Sequence, residues 1–148
     1  MSHRKKTIAC SVLIALNLMF IWGNSMLPGP VSGQISSGLL AWLKAWIGNL
    51  GMGEHLLRKL GHFTEFAALG FLSTGLCMLL GEKKFHRLSS PLLLGLLAAC
   101  VDETIQRYVE GRGSSLVDVW IDTAGVLTGI CVLMILHGLT IYFKEKKS

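Results

Sequence analysis

Acidic and amide side chains interrupt an apolar stretch in the C-terminal half of this chain. Asp102, Glu103 and Gln106 lie close together, and Asp118 and Asp122 follow them. A carboxylate inside a membrane span costs about 2.5–3.5 kcal/mol on insertion scales, so such a group persists only where it is paired, hydrated or coordinated. Neighbouring carboxylates can serve as a general acid and base, or bind a metal ion together with histidine. The stretch is therefore the first candidate for a functional site.

Helical spacing places these groups on shared faces. Gln106 lies four residues after Asp102 and three residues after Glu103. Residues at those spacings are neighbours on a helix surface. Further along, Asp118 and Asp122 step by four, and Gly125 and Gly129 continue the stripe as a G-x-x-x-G pair. Because small residues let membrane helices approach closely, we expect a tight helix contact beneath the acids.

The elements that position these residues are predicted to be membrane helices. The 148 residues are 51% hydrophobic, and the apolar residues occur in blocks. The first block is long for the apolar region of a signal peptide, and no A-x-A-like cleavage site follows it. We therefore predict an all-α integral membrane bundle, formed as one domain by residues 1–148, with four transmembrane helices at about 7–23, 62–80, 91–109 and 118–142.

An amphipathic segment lies in the connection between the first two spans. Its apolar residues recur at helical spacing between residues 35 and 50, a length too short to cross a bilayer. Pro28 and Pro30 precede it and are expected to stop any helix. We predict an interfacial helix anchored by Trp42 and Trp46, which is either a lid over the polar site or a plain surface anchor.

The distribution of basic residues predicts the orientation in the membrane. With the N-terminus inside, nine basic residues fall on inner segments and five on outer segments, so the positive-inside rule places both termini of a multi-pass protein in the cytoplasm. Topology thus explains the net charge of +5, and no nucleic-acid partner is expected. In this orientation His62 and Glu65 open the second span on the outer side. Polar groups from three helices are therefore expected to meet at the outer leaflet.

Three interpretations of this polar cluster remain open. The acids could form a buried network of ion pairs that only holds the helices together; the candidate cationic partners are Lys59, His62, Arg107 and Arg112. They could bind a metal ion, although no H-E-x-x-H or comparable spacing is present; the candidate ligands are His62, Glu65, Asp102 and Asp122. They could also perform acid–base catalysis, which needs paired carboxylates in a buried environment.

The linked polar pattern resembles that of the VanZ-like family. One part is K-x-x-H-x-x-E-[FY] at residues 59–66. The other is D-E-x-x-Q-x-[FY]-x-x-x-R-x-x-S-x-x-D-x-x-x-D-x-x-G-x-x-x-G at residues 102–129. The N-S-x-x-P-G segment at residues 24–29 is similar to the segment that follows the first helix in the family. The resemblance covers most of the chain, and Tyr108, where members often have Phe, leaves the pattern intact.

The resemblance implies a small polytopic protein of the cell envelope of Gram-positive bacteria. The founding member of the family is associated with low-level resistance to the glycopeptide teicoplanin. The positions marked in the family carry over as candidate binding residues: Lys59, His62, Glu65, Asp102, Glu103, Gln106, Arg112, Ser115, Asp118 and Asp122. Candidate catalytic residues among them are His62, Glu65, Asp102, Glu103 and Asp122. The expected partners are the lipid bilayer and a lipid-linked cell-wall precursor or a glycopeptide.

Three functions are compatible with the sequence. The first is a binding protein whose polar pocket holds an envelope component and so alters how the antibiotic meets its target. The second is a membrane enzyme that performs acid–base or metal-assisted chemistry on a lipid-linked or peptidoglycan substrate. The third is a transporter with the acids as a proton relay, which the almost purely apolar inner halves of the helices disfavour.

Overall fold

The computed structural model describes residues 2–48, 51 and 53–147, and the described chain is helical without any strand. Five helices follow one another in this part of the chain: α1 His3–Ser25, α2 Gly29–Ile47, α3 Glu54–Leu79, α4 Lys84–Tyr108 and α5 Leu116–Glu145. Four of them, α1, α3, α4 and α5, are long and apolar enough to cross a membrane. The predicted all-α bundle with four membrane helices is confirmed.

The membrane helices extend beyond the predicted spans, because apolarity marks the part of a helix inside the bilayer and not its ends. α3 begins at Glu54, a full two turns before the predicted start at His62. α4 begins at Lys84 and carries Pro91 in its interior, although the sequence prediction starts a span there. A proline lacks the N–H of one helical hydrogen bond, yet α4 continues through it.

The interfacial helix is displaced from its predicted position. It was expected at residues 35–50, and α2 instead runs from Gly29 to Ile47; residues 49 and 50 lie outside the described part of the chain. The expectation that Pro30 stops a helix was wrong, because it lies in the first turn of α2, where no partner for its N–H is needed. Trp42 and Trp46 are exposed, with ring centroids 6.2 Å apart.

The core is built by four helices. α3 and α4 contact each other, and each also contacts α1 and α5. The buried apolar residues are Ile14, Ile21, Phe66, Leu69, Ala98, Ala99, Val126 and Ile130. Large apolar side chains such as Phe20 and Ile135 are more than half exposed on the outside, which suits a surface that faces lipid.

Glycines allow α3 and α5 to pack backbone against backbone. A Cβ added to Gly125 would collide with the Phe63 carbonyl, and one added to Gly129 would collide with the Ala67 carbonyl. From the other side, the Val126 carbonyl lies directly against Gly70. The tight helix contact predicted from the G-x-x-x-G pair is therefore confirmed, and α3 is the helix that it contacts.

Candidate functional site

Polar side chains meet at the end of the bundle where α1 and α4 end and α3 and α5 begin, which we call the polar end. A cavity of about 210 Å³ opens there between α3, α4, α5 and the α4–α5 loop. Its lining residues are His55, Arg58, Lys59, His62, Glu103, Gln106, Gly111, Arg112, Gly113, Asp118, Ile121 and Asp122. The connectivity of the helices thus brings the predicted residues of α3, α4 and α5 to one place.

Asp102 is held in the interior beside this cavity. Its side chain is fully buried, and Gln106, one turn later on α4, donates a hydrogen bond of 2.7 Å from Nε2 to Asp102 Oδ2. Gln106 Nε2 also lies 3.1 Å from the hydroxyl of Ser25 at the end of α1. The other carboxylate oxygen of Asp102, Oδ1, has no hydrogen-bond partner among the described residues. The amide therefore fixes the direction of Asp102 and leaves one oxygen free.

His62 and Asp122 face Asp102 from the two neighbouring helices. His62 Nδ1 lies 3.7 Å from Asp102 Oδ2. Asp122 is 1% exposed, and its Oδ1 has no hydrogen-bond partner in the described chain. Each of the three residues offers one ligand atom, and these atoms all lie within 4.8 Å of one another. Buried carboxylate oxygens without partners are costly, so a bound cation or a proton would stabilise this trio.

Glu103 has a partner in the backbone of the α4–α5 loop. Its Oε2 accepts a hydrogen bond of 2.6 Å from the N–H of Ser115. Ser115 is in turn the N-cap of α5, and its hydroxyl accepts a hydrogen bond of 3.1 Å from the N–H of Val117. Such caps satisfy N–H groups that have no partner within the helix. Glu103 and Ser115 together therefore set where α5 begins.

Glu65 turns toward α1 and does not line the cavity. The side-chain nitrogen of Asn24 donates a hydrogen bond of 3.1 Å to Glu65 Oε1. Its second oxygen, Oε2, has no partner among the described residues. Asn17, also on α1, approaches the backbone carbonyl of Glu65 at 3.5 Å. Glu65 thus belongs to the contact between α1 and α3.

Arg112 binds backbone carbonyls, and no carboxylate of the described residues forms an ion pair with it. Its Nε donates to the carbonyl of Leu27 at 3.1 Å, and its Nη2 donates to the carbonyl of Asn24 at 2.8 Å. The last carbonyls of a helix have no partner within it, and Arg112 supplies one at the end of α1. Burial, together with the positive charge of Arg58, lowers the pKa of the guanidinium, which nevertheless stays charged.

A second contact joins the same segments. The N–H of Gly29 donates to the carbonyl of Glu110 at 2.9 Å. A Cβ at Gly29 would run into the carbonyl of Gly111, so only glycine allows this approach. The start of α2 and the α4–α5 loop are therefore fastened to each other over the cavity.

Cationic side chains surround the mouth of the cavity. Lys59 Nζ forms an ion pair of 2.9 Å with Asp118 Oδ1, at side-chain exposures of 28% and 31%. A pair so exposed contributes up to about 1 kcal/mol. Arg58, which is partly buried, has no ion pair or hydrogen bond with any described residue. Arg107, which the sequence placed within reach of the acids, is exposed and outside this cavity.

Sequence reasoning missed four residues at this site. His55 and Arg58 line the cavity, and Asn24 and Ser25 contact the acidic and amide side chains behind it. The signal for the first two was present: residues 55, 58, 59 and 62 follow the helical spacing of a single face. The first three of these residues lie before His62, where the predicted span began, so the sequence did not place them on a helix.

Comparison with known protein families gives a match over most of the chain. A family model described as VanZ/LLP1 matches residues 4–137. The chain therefore belongs to the VanZ/LLP1 family and is a multi-pass membrane protein. No curated protein matches it at a significant level, and no solved structure does so.

Proposed function

We propose that this protein works in the bacterial cell envelope as a binding protein, and that its cavity holds the anionic headgroup of a lipid-linked cell-wall precursor. By occupying that headgroup, the protein would change how a glycopeptide such as teicoplanin meets its target. The observation that carries the proposal is a cavity at one end of a membrane bundle in which Arg58, Lys59 and Arg112 line the wall beside three acids, with Arg58 unpaired among the described residues.

The charges at the mouth suit a phosphate. Arg58 is without a partner among the described residues, and its charge acts on both Arg112 and His62. Guanidinium groups recognise phosphate through two parallel charge-assisted hydrogen bonds. Lys59 adds a third positive charge at the same mouth, although Asp118 already pairs with it.

The size of the cavity limits what it can hold. Its volume of about 210 Å³ corresponds to roughly seven water molecules at about 30 Å³ each. Pockets for drug-sized ligands measure about 300–1,000 Å³. A phosphate with its first attached groups fits this space, whereas a whole glycopeptide does not. Any effect on teicoplanin would therefore be indirect, through the precursor.

The orientation in the membrane is part of the proposal. The excess of basic residues on the segments at the opposite end, nine against five, supports cytoplasmic termini and an extracytoplasmic polar end. Glycopeptides act on that side of the membrane. A transporter with a proton relay has less support, because a relay needs polar groups that continue through the bundle. The buried hydroxyls deeper in it, Ser73 and Thr74, donate their hydrogen bonds to carbonyls of their own helix.

A membrane enzyme is the second candidate. His62, Asp102 and Asp122 place ligand atoms around a common point, with free oxygens on both carboxylates. Titratable groups that converge in this way are expected where chemistry is performed. Mass spectrometry of the bound lipid after incubation separates this candidate from pure binding. An enzyme converts the lipid, whereas a binding protein leaves it unchanged.

The binding proposal is tested with purified protein in nanodiscs of zwitterionic lipid. The probe is farnesyl phosphate, and farnesol is its uncharged counterpart. Arg58→Gln should weaken farnesyl phosphate binding about tenfold or more, because one charge-assisted contact contributes roughly 1.5–3 kcal/mol. Arg107→Gln is the matched control, because Arg107 is an exposed arginine at the same end of the bundle outside the cavity.

Three results would overturn the proposal. The first is equal affinity for farnesyl phosphate and farnesol, since the phosphate would then contribute nothing. The second is equal loss in Arg58→Gln and Arg107→Gln, which would indicate attraction by the general surface charge. The third is undiminished binding in Arg58→Gln. A protein that binds as expected is next expressed in a teicoplanin-sensitive Gram-positive host, with Arg58→Gln expected to reduce any resistance.

A further inference from the structure

We infer that His62, Asp102 and Asp122 form a binding site for one divalent transition-metal ion such as Zn²⁺. The three ligands come from α3, α4 and α5, one from each. An ion bound there would join the three helices at the polar end. Metal binding can be measured without any lipid ligand, so this inference does not depend on the proposed headgroup.

The first argument is distance. The three ligand atoms already lie within 4.8 Å of one another, and His62 Nδ1 and Asp102 Oδ2 are 3.7 Å apart. Ligands of Zn²⁺ lie at about 2.0–2.2 Å from the ion, which places neighbouring ligand atoms roughly 3–4 Å from each other. To bring the ligand atoms from within 4.8 Å of one another to this spacing, the side chains must move by about 1 Å.

The second argument is the state of the carboxylates. Asp102 and Asp122 are at most 1% exposed, and Oδ1 of each has no hydrogen-bond partner among the described residues. Buried carboxylate oxygens of this kind are normally paired or bound to a cation. Gln106 fixes Asp102 by a hydrogen bond of 2.7 Å to Oδ2, the oxygen that lies 3.7 Å from His62 Nδ1, and so leaves Oδ1 as the oxygen without a partner; such hydrogen bonds orient carboxylates that bind metals.

The third argument is charge. Five carboxylates interact electrostatically around Asp122: Glu65, Asp102, Glu103, Asp118 and Asp122 itself. Three arginine or lysine side chains accompany them at the cavity: Arg58, Lys59 and Arg112. Lys59 is paired with Asp118, and Arg112 with backbone carbonyls, so the two negative charges of ionised Asp102 and Asp122 have no arginine or lysine partner among the described residues. One divalent ion would balance them, and so would two protons, which the experiment must distinguish.

The chemistry of the ligands selects the class of ion. An imidazole nitrogen suits Zn²⁺ and the other later transition metals, such as Fe²⁺, Ni²⁺ and Cu²⁺. Ca²⁺ and Mg²⁺ prefer sites made entirely of oxygen ligands. With three protein ligands, a tetrahedral ion keeps one position open. Asp122 also lines the cavity, so that open position would be reached from the polar end.

The test uses the purified full chain in nanodiscs, stripped of metal by a chelator and titrated with Zn²⁺ in a calorimeter. We expect one Zn²⁺ per chain. Asp122→Asn should weaken binding at least tenfold. Glu110→Gln is the matched comparison, because Glu110 is an exposed carboxylate at the same end of the bundle outside the cavity; its loss should change affinity no more than about threefold. Arg58→Gln should not weaken Zn²⁺ binding, which separates this site from the headgroup site.

A spectroscopic measurement keeps the test valid if Asp122→Asn does not fold. X-ray absorption of the Zn²⁺-loaded wild type should show nitrogen and oxygen ligands with an imidazole signature. Sulfur ligands would overturn the inference, because they would place the ion on cysteines. The absence of stoichiometric binding would also overturn it, in which case protons neutralise the acids. So would an equal loss in Asp122→Asn and Glu110→Gln.

Discussion

The contact between α3 and α5 predicts that Gly129→Ala destabilises the protein. A Cβ at this position would lie 2.7 Å from the nitrogen of Phe71 and 2.9 Å from the carbonyl carbon of Ala67. These are backbone atoms, which cannot rotate away as a flexible side chain does. The nearest backbone atom is the carbonyl oxygen of Ala67, so the two helices must separate by roughly 1.5 Å before the contacts reach ordinary van der Waals distances.

The magnitude follows from the packing that this separation removes. A gap of roughly 0.5–1 Å forfeits a quarter to a half of each dispersion contact along the interface. Overpacking of a well-packed core costs about 1–3 kcal/mol. Gly138→Ala, on the same helix, is the matched control, because a Cβ there has no atom within 4 Å. Since alanine favours a helix over glycine by about 1 kcal/mol, this control should be neutral or slightly stabilising.

The assay is equilibrium unfolding in mixed micelles, with SDS as denaturant and circular dichroism as the signal. We expect Gly129→Ala to unfold at a lower SDS fraction, with a free energy of unfolding about 1–3 kcal/mol below that of the wild type. If Gly129→Ala and Gly138→Ala unfold together, the backbones of α3 and α5 do not approach closely at Gly129, and the reasoning is refuted.

Three further predictions concern the polar end. Arg112→Gln removes two charge-assisted hydrogen bonds to the end of α1, so the free energy of unfolding should fall by about 2–4 kcal/mol; an unchanged SDS midpoint would contradict this. Glu103→Gln keeps an acceptor for the N–H of Ser115, so the protein should insert and unfold at an SDS midpoint close to that of the wild type; a large fall would show that the charge of Glu103 is needed at the start of α5. In a background without native cysteines, Ser114→Cys should react with an impermeant thiol reagent on intact cells and Glu82→Cys should not; the reverse pattern would invert the proposed topology.

Local patterns predicted the elements and the level of the polar groups. Blocks of apolar residues indicated the four membrane helices, because a bilayer requires about 20 apolar residues in a row. The spacing of Gln106 behind Asp102 indicated a shared face, and the structure has a hydrogen bond between them. The stripe through Gly125 and Gly129 likewise indicated a close helix contact, which the structure has.

The partners of the polar groups could not be predicted in the same way. Arg112 was expected to be a cationic partner of the acids; it does line the cavity beside Glu103 and Asp122, but its hydrogen bonds go to the carbonyls of Asn24 and Leu27. Backbone carbonyls carry no sequence signal, so a prediction from residue types overlooks them. Glu65 was grouped with the other acids and instead turns to Asn24, because it lies on the side of α3 that faces α1.

The sequence by itself determined the class of the protein and its family. Apolar blocks, basic clusters and polar spacings are local properties, and a membrane admits few structures that satisfy every backbone hydrogen bond. Only the tertiary structure decided which side chains meet. The rotation of each helix about its own axis places His62, Asp102 and Asp122 around one point and Arg58 at the mouth of the cavity. That rotation is set by packing between helices, which no single helix encodes.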